Sequence, residues 1–70
     1  MGAVVECHSG HTYAERPRAF EWEGERLEVV EIVAEWQTPE AKHFQVILED
    51  QRTFELTYNP SGDEWRILEL

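Results

Sequence analysis

A thiol and two imidazoles lie within five residues near the start of the chain. Cys7, His8 and His11 belong to the segment CHSGH, and His43 offers a further imidazole later in the sequence. Zinc binds such ligands in tetrahedral geometry. The spacing is poor for a metal site, because adjacent residues of a strand point to opposite faces and the second half of a usual ligand pair is missing. We therefore expect no metal or other cofactor, with zinc binding by these four residues as the alternative hypothesis.

Cys7 could also act as a nucleophile if a histidine activated it. Thiol catalysis needs a base within hydrogen-bond reach, an orienting third group and a substrate pocket. The sequence supplies only the first of these, and an unactivated thiol is mostly protonated at neutral pH. The simpler interpretation is that Cys7 is a small buried side chain and that the nearby histidines lie on a loop. We predict a protein that is not an enzyme, and a thiol-dependent protein belongs to the same alternative as zinc binding.

Acidic residues dominate the charged positions. Fifteen Asp and Glu against six Lys and Arg give a net charge of -9 over 70 residues. Such a charge repels nucleic-acid phosphates and anionic membranes, so we expect neither as a partner. A basic protein or peptide is the complementary expectation. One acidic band alternates with apolar residues and therefore predicts a solvated face; it consists of Glu21, Glu23, Glu25, Glu28, Glu31 and Glu35.

The length and the cysteine content limit the class of protein. A length of seventy residues predicts one domain over residues 1–70 with a small core. A chain of this size buries on folding roughly 60% of the surface that it exposes when unfolded. Cys7 is the only cysteine, so no disulfide can form within the chain. No stretch approaches the roughly 20 apolar residues that a membrane-spanning helix needs. Together these features predict a cytoplasmic protein of bacterial character.

Apolar residues recur at every second position, which is the period of a strand with one buried face. The alternating sets are Phe20 and Trp22; Phe44, Val46 and Leu48; Phe54, Leu56 and Tyr58; and Trp65 and Ile67. Turn-forming residues separate these sets at short intervals, among them Gly24 and the tight hairpin around Asp50 and Gln51. We predict an all-β fold of five or six antiparallel strands, either a small SH3-like barrel or a bent meander.

Residues 27–36 break this alternation. Leu27 and Val29 are at odd-numbered positions, whereas Ile32 and Trp36 are at even-numbered positions. In a regular strand the two pairs would therefore point to opposite faces. A β-bulge near Val29 and Val30 would absorb the extra residue and bend a long strand. The alternative is a helix over residues 28–36, because Val29, Ile32 and Trp36 also follow helical spacing. We favour the bent strand, since β-branched residues pack well on a pleated sheet and no N-cap residue precedes the segment.

Most aromatic residues share parity with aliphatic neighbours and are predicted to be core, but an exposed pair at the rim of the barrel is a candidate for binding. Tyr13 paired with Tyr58 or Trp36 at a barrel rim would form a groove for an extended peptide, and a sheet edge could accept an added strand. The sequence therefore predicts a non-enzymatic interaction module that binds a protein or peptide through such a groove or edge. Homodimerisation through a sheet edge is a further expectation.

One pattern of residues covers nearly the whole chain. It runs as Pro17-x-x-Phe20-x-Trp22-x-Gly24-x-x-Leu27-x-Val29, Trp36, Phe44-x-Val46, Phe54-Glu55-Leu56-x-Tyr58-Asn59 and Trp65-x-Ile67. This pattern resembles a bacterial family of small domains of unknown function. Similar segments occur at the C-terminal ends of some damage-tolerance polymerase-like proteins. The resemblance implies a protein-interaction or accessory role, and it implies no catalytic residues.

Overall fold

Six antiparallel strands make up the fold. The computed structural model describes residues 3–7 and 16–70. The strands are β1 (Val5–Cys7), β2 (Pro17–Trp22), β3 (Glu25–Gln37), β4 (Lys42–Leu48), β5 (Thr53–Asn59) and β6 (Glu64–Glu69). Each strand pairs with its neighbours in the sequence, and the resulting meander curls into a half-barrel. The all-β prediction is therefore confirmed, with six strands in the described part of the chain.

Tight turns set the register of two hairpins. Glu23 and Gly24 join β2 to β3, and both have positive φ angles, of 50° and 83°. Positive φ at both central residues is typical of a type I′ turn, whose twist matches that of the flanking strands. Gly24 adopts this conformation without the strain that a Cβ atom would add. Between β4 and β5, the Leu48 N–H donates to the Arg52 carbonyl over 2.9 Å and closes the second predicted hairpin.

The core lies on the concave side of the curled sheet. Phe20 of β2 and Phe54 of β5 are fully buried, and their rings meet edge to face with centroids 5.0 Å apart. Trp22 adds a second edge contact to Phe54 at 5.3 Å. Phe44, Val46 and Leu56 complete the set of large, fully buried side chains. Most of the aromatic residues that the alternation assigned to the core are therefore in it, whereas Trp22 and Trp65 are half-buried at its margin.

β3 is the long bent strand that the parity break predicted. Residues 25–28 pair with β2, and residues 29–37 pair with β4. The register shifts between Val29 and Glu31, so Val30 is the extra residue of a bulge at the predicted place. The helical alternative for residues 28–36 is wrong, because the whole segment is extended.

A second bulge in β3 was not predicted. The register shifts again between Ile32 and Ala34, which leaves Val33 as another extra residue. Each bulge reverses the parity of the residues that follow it. Ile32 consequently packs against the core. Trp36 pairs with His43 on the opposite, outer face of the sheet.

An arginine holds the outer surface of β1, β2 and β3 together. Arg26 donates through Nε and Nη2 to the Glu6 carboxylate over 2.8 and 2.9 Å, and through Nη1 to Glu28 over 3.0 Å. The hydrogen bond from Arg26 holds the pKa of Glu6 below its usual value. Glu6 and Glu28 are the cross-strand partners of Ala19 on its two sides. The guanidinium therefore lies over Ala19, which is completely buried although it faces outward.

The chain before β1 lies beside β6. The Ala3 N–H donates to the Trp65 carbonyl over 3.3 Å, so part of the β6 edge is already occupied. The described residues contain no helix that could cross a bilayer.

Candidate functional site

Trp36 is the exposed aromatic of the outer face. It begins a cross-strand row that continues with His43, Thr57 and Arg66 on successive strands. Directly opposed residues of antiparallel strands point to the same face. The Trp36 and His43 rings accordingly stack, with centroids 5.2 Å apart and planes 5° apart. Trp36 remains 40% exposed, so the stack fixes one side of the indole and leaves the rest in contact with solvent.

His43 is held in place by two neighbours on β5. Its Nδ1 lies 3.1 Å from the Thr57 hydroxyl and 3.3 Å from Glu55 Oε2. The Thr57 hydroxyl in turn donates to the same Glu55 oxygen over 3.5 Å. Because a carboxylate can only accept, the contact with Glu55 requires the proton on Nδ1. The imidazole is thus a fixed support for Trp36.

Apolar side chains are exposed on the same surface. Val33, the extra residue of the second bulge, is 47% exposed, and Leu68 on β6 is 58% exposed. Between them, Gln45 and Glu55 form the row next to that of Trp36 and His43. A rigid aromatic side chain flanked by aliphatic and hydrogen-bonding groups is typical of a surface that binds another protein.

Tyr58, the second aromatic proposed for a binding groove, is 4% exposed. Its hydroxyl donates to Asp63 Oδ1 over 2.6 Å, and this bond allows the polar end of the ring to be buried. The rim position expected for Tyr58 is therefore not what the structure shows, because the side chain belongs to the core. Tyr13 lies outside the described residues. Of the two proposed binding residues that the structure describes, Trp36 is exposed and Tyr58 is buried.

The proposed metal ligands are only partly within the described residues. Cys7 is half-buried in β1 opposite Pro17, and His43 is on the outer face of β4. His8 and His11 lie outside the described residues. Within residues 3–7 and 16–70, no group of three His, Cys, Asp or Glu side chains could hold a metal ion. No observation on these residues adds to the zinc or thiol alternative.

All six glutamates of the acidic band are exposed, as predicted. Glu28 is paired with Arg26 at 3.0 Å, and Glu35 with Lys42 at 3.5 Å. No ion pair within the described part of the chain involves the other four, which are Glu21, Glu23, Glu25 and Glu31. The surface therefore carries uncompensated negative charge along β2 and β3.

The sequence interpretation missed the contacts that support Trp36. Part of this arrangement could have been derived from the predicted hairpin between β4 and β5. The position of the turn determines which residues of the two strands lie opposite each other. The register set by that turn places His43 opposite Thr57 and Gln45 opposite Glu55. The pairing of Trp36 with His43 required the second bulge of β3, for which the sequence gives no sign.

Comparisons with known protein families, with characterised proteins and with solved structures find no match to this chain.

Proposed function

We propose that this chain is a non-enzymatic interaction module that binds a basic protein partner through the outer face around Trp36. The observation that carries the proposal is an exposed indole held by stacking on a hydrogen-bonded histidine. Tryptophan is among the residues that dominate binding energy at protein interfaces. A side chain that is already fixed loses little conformational freedom on binding, which favours affinity.

The charge of the chain supports a basic partner. The net charge of -9 attracts positive surfaces over long range and speeds their encounter. Glu31 has no ion pair within the described residues, is exposed on β3 opposite Ile47, and is available to a Lys or Arg of the partner. A cytoplasmic location belongs to the same proposal, supported by the single cysteine. The accessory role that the resemblance in sequence implies is part of the same proposal.

The Trp36→Ala variant tests the proposal. The immobilised wild-type chain is used to capture proteins from the extract of its own cells, next to Trp36→Ala and a control, Val4→Ala. Val4 is 52% exposed and precedes β1, so the control removes an exposed apolar side chain elsewhere. We expect Trp36→Ala to retain at most a tenth of the captured partner, a loss of about 1.4 kcal/mol or more in binding free energy. The control should retain nearly all of it.

Two further measurements accompany the capture experiment, its salt dependence and the thermal unfolding of the variants. Raising the ionic strength should release a basic partner, because salt screens exposed charges. Thermal unfolding of both variants should remain cooperative, which separates lost binding from lost folding. Equal capture by wild type and Trp36→Ala would disprove the proposed role of the outer face. Capture that does not change with salt would disprove the basic character of the partner.

A further inference from the structure

One carboxylate lies among the side chains of the outer face. Glu55 is on β5, with Gln45 opposite it on β4 and Leu68 opposite it on β6. Directly opposed residues of antiparallel strands point to the same face. The Glu55 side chain is 27% exposed, so its neighbours cover most of it. Glu55 is therefore a partly buried negative charge on the same face as Trp36.

The two oxygens of this carboxylate have different surroundings. Oε2 of Glu55 accepts from His43 Nδ1 over 3.3 Å and from the Thr57 hydroxyl over 3.5 Å. Within the described residues, no donor lies within hydrogen-bond distance of Oε1. Each carboxylate oxygen can accept two hydrogen bonds. The contacts at Oε2 thus hold the carboxylate in place, and Oε1 is open to a donor from another molecule.

Arg66 is the basic side chain in the neighbouring row of this face. It lies on β6 opposite Thr57, one pair of residues away from Glu55 and Leu68. Arg66 is exposed, and in residues 3–7 and 16–70 no carboxylate lies within 4.0 Å of its guanidinium. Glu55 therefore has no lysine or arginine partner in the part of the chain that the structure describes.

Apolar side chains are exposed near this carboxylate. Leu68, directly opposite Glu55, is 58% exposed. A long basic side chain packs its aliphatic stem along an apolar surface while its charged end reaches a polar group. A guanidinium is more weakly hydrated than an ammonium and is the cation preferred in ion pairs that are partly buried. The surroundings of Oε1 therefore favour arginine over lysine.

We infer that Glu55 binds an arginine side chain of the basic partner, with the guanidinium bonded to Oε1 and the aliphatic stem along Leu68. The inference rests on the proposed function, because it names the group of the partner that docks beside Trp36. Binding excludes water from a carboxylate that is already mostly covered, and this strengthens the ion pair relative to one on an open surface. A second copy is a poor source of the arginine, since each chain carries a net charge of -9.

Short peptides test the inference on the unmodified protein. The probe is acetyl-Leu-Arg-Leu-amide, in which the leucines can contact the exposed apolar side chains of the face. One control carries citrulline in place of arginine, which keeps the shape and removes the charge, and the other carries lysine. At millimolar concentration we expect the arginine peptide to shift the nuclear magnetic resonance signals of the Glu55 side chain and the Leu68 methyl groups. The citrulline peptide should bind about fivefold more weakly, which corresponds to about 1 kcal/mol, and the affinity of the lysine peptide should lie between the two.

The Glu55→Gln variant tests the same contact from the side of the protein. The amide keeps an oxygen that accepts from His43, so the support of the indole is retained while the charge is lost. The control is Glu21→Gln, which removes one negative charge from β2. The rings of Phe20 and Phe54 meet across the core, so the outer faces of β2 and β5 point in opposite directions. We expect Glu55→Gln to bind the arginine peptide about fivefold more weakly and the citrulline peptide as well as wild type does, whereas Glu21→Gln should change neither affinity.

Equal binding of the arginine and citrulline peptides to the wild type would overturn the inference, and so would an unchanged affinity of Glu55→Gln for the arginine peptide. Tighter binding of the lysine peptide would overturn the assignment to arginine. A wild-type dimer in sedimentation that Glu55→Gln converts to a monomer would assign the site to a second copy. The proposed function is judged by the capture with Trp36→Ala, which none of these peptide results decides, so the two proposals fail separately.

Discussion

Replacing Phe54 by alanine is expected to destabilise the fold by about 3–5 kcal/mol. Phe54 lies on β5 between β4 and β6, is fully buried and contacts the rings of both Phe20 and Trp22. Truncation removes the apolar area of the ring and leaves a cavity that two large aromatic side chains can fill only in part. A domain of this size has a total stability of roughly 4–10 kcal/mol. The substitution therefore removes a large share of it.

Urea unfolding followed by far-UV circular dichroism measures this loss. The control is Leu68→Ala, because Leu68 is 58% exposed on the outer face of β6. We expect the control to change the free energy of unfolding by no more than about 0.5 kcal/mol. If Phe54→Ala were as stable as the control, Phe54 could not be at the centre of the core.

Replacing Ala19 by leucine is expected to cost about 1–3 kcal/mol, although Ala19 lies on the outward side of β2. The residue is completely buried because the Arg26 side chain crosses over it to reach Glu6 and Glu28. A leucine at this position must displace the guanidinium, which breaks the contacts that join β1, β2 and β3. The larger side chain would then be exposed to solvent.

Thermal unfolding compares Ala19→Leu with Arg18→Leu. Arg18 is the preceding residue of β2 and its side chain is exposed, so the control introduces the same leucine where space is available. We expect Ala19→Leu to unfold several degrees below wild type and Arg18→Leu to unfold close to it. A stability for Ala19→Leu equal to that of the control would show that Arg26 does not cover Ala19.

Much of the fold could be predicted because alternation and turn chemistry are local properties. Phe44 and Phe54 share parity with aliphatic neighbours, and Gly24 meets the demand of a turn for positive φ. The bulge at Val30 was predictable because it leaves a visible break in the parity of β3. The second bulge, at Val33, was not predictable, since Ile32, Ala34 and Trp36 alternate without interruption. Pairing with β4 sets that register, and pairing is a tertiary property.

The candidate sites were less accessible to sequence reasoning. Trp36 was predicted as a candidate for binding, but its partner His43 was considered only as a metal ligand. Tyr58 was predicted both on a strand face with Phe54 and as a candidate for the rim, and the acceptor that permits its burial, Asp63, lies in the next turn.

The second bulge of β3 returns Trp36 to the outer face, where His43 supports it. The most direct test is a set of nuclear Overhauser effects from the Trp36 ring in the isotope-labelled protein. The structure predicts strong effects between the Trp36 indole and the His43 ring, which are stacked. It also predicts effects between Ile32 and Val46, which lie directly opposite each other. Effects from the Trp36 indole to core side chains such as Phe44, without any to His43, would contradict the second bulge and with it the proposed binding face.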